Sequence, residues 1–76
     1  MNRKYIISAL EAIVEDVTRS VMKLPFSSEF EAFFEPEEFV IFRDMVAEEF
    51  DLPDYSIIDT AETFRELIVL LEDELF

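Results

Sequence analysis

The 76-residue chain has no cysteine, no histidine, no glycine and no tryptophan, and only six lysines and arginines stand against nineteen aspartates and glutamates. Without thiols there are no disulfide staples and no soft-ligand zinc sites. Without imidazole the side chain most often used as a general base near neutral pH is missing. Stability must come from packing alone. The shortage of bases leaves a formal net charge of −13, a field that repels nucleic acid and anionic lipid. No apolar run approaches the roughly twenty residues of a membrane span. The run that follows Arg3 and Lys4 is interrupted by Glu11, Glu15 and Asp16 before it reaches signal-peptide length. The expected location is cytoplasmic, with no membrane partner and no direct nucleic-acid partner.

Half of the residues (51%) are apolar, nine of them Phe. That is far more than a disordered acidic tail carries, so a packed core is expected. At this length there is room for one core, which makes residues 1–76 a single acidic domain. The charge is placed unevenly. Residues 1–23 hold four bases (Arg3, Lys4, Arg19, Lys23) against three acids, whereas residues 24–76 hold two (Arg43, Arg65) against sixteen acids. The chemistry that complements the second segment is a basic protein surface. The plainer alternative is that the acids only keep a Phe-rich domain in solution.

Pro25, Pro36 and Pro53 divide the chain, because proline disrupts a helix interior. From about Tyr5 to Met22, Ile6, Leu10, Ile13, Val14, Val17 and Val21 recur in steps that make one helical stripe. This first helix is expected to end before Leu24-Pro25. Ser28 and Glu31 have capping-box spacing, so Ser28 to Phe34 can form a short turn that buries Phe30, Phe33 and Phe34. Glu35-Pro36 reads as the next helix start, followed by the stripe Phe39, Phe42, Val46 and Phe50. After Asp51-Leu52-Pro53 and a connector to Ile58, Asp59 or Thr60 is expected to cap the last helix, with Glu62 at box spacing from Asp59. Phe64, Leu67, Ile68 and Leu71 form its stripe. The expected fold is all-α, a small three- to four-helix bundle with a long first loop and no strand.

Little in this inventory carries chemistry. Glu37 beside Glu38 and Glu48 beside Glu49 are paired carboxylates, but adjacent acids on a helix exterior are solvated, and no nucleophile has a base to activate it. Asp51 to Glu62 holds four acids yet lacks the central glycine and ligand alternation of a calcium loop. The Phe residues fall at helical spacing, which makes them core before they are a ligand box. The expectation is no catalysis and no metal.

The order of segments resembles the acyl carrier protein family across most of residues 5–75. A first helix is followed by a long loop with aromatics, and then by an acidic helix that ends in Glu48-Glu49-Phe50-Asp51. An Asp59-Thr60 start then leads to Phe64-Arg65-Glu66-Leu67-Ile68-Val69-Leu70-Leu71. The resemblance implies an acyl-carrier-like bundle. It also implies an acidic recognition surface at Glu35, Glu38, Glu48 and Glu49 that meets Arg and Lys on a partner such as a fatty-acid or polyketide-type enzyme. Members of that family carry phosphopantetheine on the serine of an Asp-Ser-Leu motif at the start of the second helix. The matching place here reads Glu35-Pro36-Glu37, and proline has no hydroxyl to modify. Ser28, beside Ser27, is the nearest alternative attachment site, but it lacks the flanking Asp and Leu and reads as a helix cap. The family's glycine before the serine is absent as well. No cofactor is expected.

The sequence therefore points to an acyl-carrier-protein-like interaction module without covalent phosphopantetheine. Two other classes fit the same charge: an acidic inhibitor or immunity-type protein that mimics nucleic acid and blocks a basic groove, and a small helical dimer. The last is suggested by Ile41, Leu70, Leu75 and Phe76, which fall off the core stripes. The expected state is a monomer or weak homodimer.

Overall fold

The three long apolar stripes become three long helices that share one core. The computed structural model describes residues 3–75, and side chains through residue 74. In chain order the elements are α1 (Arg3–Thr18), α2 (Phe30–Phe33), α3 (Pro36–Glu49), α4 (Ser56–Thr60) and α5 (Phe64–Leu75). The described chain is all-helical, with two short helices beside the three long ones. Its only strand-like feature among the described residues is an isolated antiparallel bridge between Glu29 and Thr63.

Ile6, Leu10, Ile13 and Val14 form the buried face of α1 as their spacing predicts. The helix nevertheless stops at Thr18 rather than near Met22. Arg19 turns into the left-handed region at φ 62° while its N–H still donates to the Glu15 carbonyl at 2.8 Å. Val21, expected on the core stripe, is 85% exposed. The next buried residue, Leu24, is reached by irregular chain, and its N–H donates to the Glu11 carboxylate at 3.2 Å, which ties the loop back onto α1.

Ser28 does not cap α2. The N-cap position belongs to Glu29, which makes no side-chain capping bond, and the Ser28 N–H donates to the Pro25 carbonyl. A cap at Ser28 has no role to fill, because the Phe30 N–H donates instead to the Glu62 carbonyl at 2.9 Å. A second bond, from the Arg65 N–H to the Phe26 carbonyl at 3.1 Å, completes the pairing of this loop with the entry to α5.

Pro36 opens α3, where the missing N–H costs nothing, and the Glu38 carboxylate accepts the Glu35 N–H at 2.9 Å. The helix ends in a Schellman closure: the Leu52 N–H reaches back to the Ala47 carbonyl at 2.9 Å and Asp51 takes the left-handed φ of 54°. Glycine ordinarily fills that position; this chain has none and uses aspartate.

The last helix does not start from Asp59-Thr60. Both residues lie inside α4, where the Thr60 hydroxyl donates to the Ser56 carbonyl at 2.7 Å. The cap of α5 is Thr63, whose hydroxyl accepts the Glu66 N–H at 3.2 Å while the Glu66 carboxylate accepts the Glu62 N–H at 3.1 Å. This is a variant of the capping box, one turn after the expected cap at Asp59 or Thr60.

Phe42, Val46 and Phe50 of the middle segment are buried with Phe64, Leu67, Ile68 and Leu71 of α5 and the α1 stripe, and no polar or charged side chain is buried among the described residues. Phe30, Phe34, Phe42 and Phe64 form the aromatic centre. Phe34 and Phe42 ring centroids lie 4.7 Å apart, and Phe30 meets Phe64 edge-on at 4.8 Å. Of the residues left off the stripes, Ile41 is exposed and Leu70 half-buried, while Phe76 and the side chain of Leu75 lie outside the described residues.

Candidate functional site

The acidic helix α3 buries one face and presents another, and its register decides which acids share that outer face. Glu37, Asp44 and Glu48 are separated by seven and four residues, spacings that return to nearly the same side of an α-helix. All three are exposed. Between them lie Val40 and Ile41, 50% and 52% exposed, so the outer face is an apolar centre with a carboxylate at each end. At about 1.5 Å per residue it spans roughly 16 Å from Glu37 to Glu48.

Of the four acids expected to form the recognition surface, only Glu48 falls on this face. Glu35 stands at the N-cap, and Glu38 is half-buried with its carboxylate on the Glu35 N–H. Glu49 is exposed but turned toward α1, where it accepts a hydrogen bond from the Tyr5 hydroxyl. Those four acids are the positions that the resemblance to the acyl carrier protein family implies. The helical spacing of Glu37, Asp44 and Glu48 was the signal that would have grouped them instead. Ser28 is half-buried in the loop ahead of the four-residue α2, away from the start of α3, which Pro36 occupies.

The connector after α3 braces this face. The Arg43 guanidinium lies 4.3 Å over the Tyr55 ring and reaches Asp59 of α4 at 3.4 Å, and the Tyr55 hydroxyl donates to Asp44. The hydrogen bond to Asp44 holds the Tyr55 hydroxyl above the ordinary tyrosine pKa of 10.0, because ionisation would set two anions side by side. The bond to Glu49 raises Tyr5 in the same way. Asp54 moves in the opposite direction: its carboxylate accepts both the hydroxyl and the N–H of Ser56, which favours the charged form and lowers its pKa.

Among the described residues no three carboxylates are placed to hold a metal ion, and no helix is long and apolar enough to cross a membrane. Comparison with protein-family models, with curated proteins and with solved structures finds no match. What the outer face of α3 offers chemically is negative charge arranged around exposed aliphatic side chains, held on a braced helix.

Proposed function

We propose that this chain is an acyl-carrier-protein-like docking module of the cytoplasm that binds a basic protein surface through the outer face of α3 and carries no covalent phosphopantetheine. The observation that supports the reading most strongly is the pair Val40 and Ile41, half exposed between Glu37, Asp44 and Glu48. Two neighbouring aliphatic side chains in water are costly to maintain and form the kind of small apolar centre that a docking interface buries. The carboxylates around them supply long-range attraction and orientation, which govern encounter more than final affinity. The partner's matching face is therefore an apolar pocket ringed by Lys and Arg, as on an enzyme of the fatty-acid or polyketide type. Pro36 at the start of α3 argues against a prosthetic arm at that position.

A nucleic-acid mimic fits less well. The exposed acids of α3 stand around Val40 and Ile41, which interrupt them, rather than in an unbroken row spaced like phosphates. Self-association through α3 would set its acids against a second copy of themselves, which disfavours the dimer reading.

The test is a binding titration, at low and high salt, against the partner that a pull-down with the intact chain recovers. The double variant E37K/E48K should keep the helical circular dichroism of the wild type, because both side chains are exposed. It should associate at least about tenfold more slowly at low salt and lose most of its salt dependence. Equal rates for the two proteins would reduce the outer face of α3 to a solvated surface.

A further inference from the structure

Lined by none of Glu37, Val40, Ile41, Asp44 and Glu48, a cleft of about 480 Å³ opens between α2, the start of α3 and α4. Its walls are apolar. Its floor is the buried Phe30, Phe34, Ile58 and Ala61, and its accessible apolar surface comes from the exposed Pro36 and the half-buried Phe39 at the start of α3. Its rim is acidic on both sides, with Glu29 and Glu31 on one lip and Asp59 and Glu62 on the other. No lysine or arginine lines it. The backbone fixes the lips relative to each other through the Glu29–Thr63 bridge and the hydrogen bond from the Phe30 N–H to the Glu62 carbonyl. Asp59 already shares Arg43, whereas the carboxylates of Glu29, Glu31 and Glu62 make no hydrogen bond or ion pair among the described residues.

The volume lies in the range that suits a small organic ligand. The walls select an apolar body and the rim selects the sign of its head group. A fatty acid would bring its carboxylate against like charges, and a wholly neutral ligand would gain nothing from them. An organic cation satisfies both parts, since aromatic faces and carboxylates each attract positive charge. We infer that this cleft is a binding site for an amphiphilic organic cation, with an alkyl or aryl body seated on Pro36 and Phe39 over the edges of Phe30 and Phe34 and an ammonium group held at the rim by Glu29, Glu31 and Glu62. This inference is independent of docking through α3.

The intact protein can be titrated by calorimetry with hexyltrimethylammonium, tetramethylammonium and hexanoate, with amide chemical shifts recorded alongside. The expected result is a single site for hexyltrimethylammonium, with shifts concentrated in residues 29–34 and 58–62. Its affinity should exceed that of tetramethylammonium by about tenfold or more, since the hexyl chain leaves water, and hexanoate should not bind. The variant E29Q/E31Q/E62Q removes only exposed charges and should fold with a melting temperature at or above that of the wild type, because it relieves repulsion, while losing about tenfold or more in affinity. The control E48Q/E74Q, which lowers the overall charge at the far ends of α3 and α5, should bind as the wild type does. Equal affinity for tetramethylammonium would overturn the inference, as would hexanoate binding as tightly as the cation. An equal loss in the E48Q/E74Q control would show nothing more than general attraction to an acidic protein and would overturn it as well.

Discussion

Phe42 has no exposed surface, and its ring centroid lies 4.7 Å from that of Phe34 and 5.7 Å from that of Phe64, which it meets edge-on, while Phe26, in the first loop, remains 38% exposed. Truncating buried aromatics leaves a cavity as well as a transfer loss, so Phe42→Ala should cost about 3–5 kcal/mol, whereas Phe26→Ala should cost less than about 1. Denaturant unfolding of the two variants checks this, and equal midpoints would mean that the aromatic centre is not where the stability lies. The tyrosines set an alkaline limit. Tyr5 and Tyr55 have folded pKa values raised above the ordinary 10.0 by Glu49 and Asp44. The stabilisation from these bonds is therefore fully present below pH 10 and is lost as pH rises through the folded values. Melting temperatures followed upward from neutral pH should fall in that window, and the double variant Y5F/Y55F should flatten the decline. Asp54, whose pKa is lowered by Ser56, acts on the other side: its contribution is present above the ordinary carboxylate range and disappears as pH falls through its folded value.

At the level of the helix, the buried stripes were legible in the sequence and the ends of the helices were not. Ile6, Leu10, Phe42, Val46, Phe64 and Leu71 could be assigned from spacing alone because burial on one helical face is a periodic property. Capping is not periodic. Ser28 with Glu31, Asp59 with Glu62 and Thr63 with Glu66 all have box spacing, and only the last pair caps a helix. The choice is made by tertiary contacts: pairing of residues 26–30 with 62–65 takes the Phe30 N–H away from Ser28, and α4 absorbs Asp59 and Thr60. Thr63→Ala should accordingly destabilise the fold by about 1 kcal/mol, with Ser28→Ala close to neutral in the same thermal melts; the reverse order would contradict the assignment. The end of α1 was hidden for a related reason. Glycine usually marks such an end, and here Arg19 adopts φ 62° without it. A left-handed non-glycine residue costs roughly 1–2 kcal/mol, partly offset by the greater freedom glycine gains when unfolded. Arg19→Gly should raise the melting temperature by a few degrees, and a fall would show that the arginine side chain contributes more than its backbone costs.

Over the whole molecule the dominant quantity is net charge. Nineteen acids face six bases, and among the described residues only Arg3–Glu72 and Arg43–Asp59 form ion pairs. Most of the acidic charge is thus solvated and mutually repulsive. Since the screening length falls from about 10 Å at 0.1 M to about 3 Å at 1 M salt, the melting temperature should rise with added sodium chloride; independence of salt would mean that the carboxylates are too dispersed to strain the fold. The uneven distribution of charge was readable from the chain, and the proposal of a basic partner rests on it. The spacing that sets Glu37, Asp44 and Glu48 on one face with Val40 and Ile41 was readable as well, whereas the engagement of Glu38 at a helix start and of Glu49 by Tyr5 was not, because a capping bond and a contact with another helix are not periodic. The most direct measurement of the docking account is therefore amide chemical-shift mapping of the labelled protein titrated with its recovered basic partner. Docking through α3 should make the perturbed amides cluster at Glu37, Val40, Ile41, Asp44 and Glu48, with added salt raising the partner concentration needed to saturate them. Perturbations confined to α1 or α5, with α3 unchanged, would contradict it.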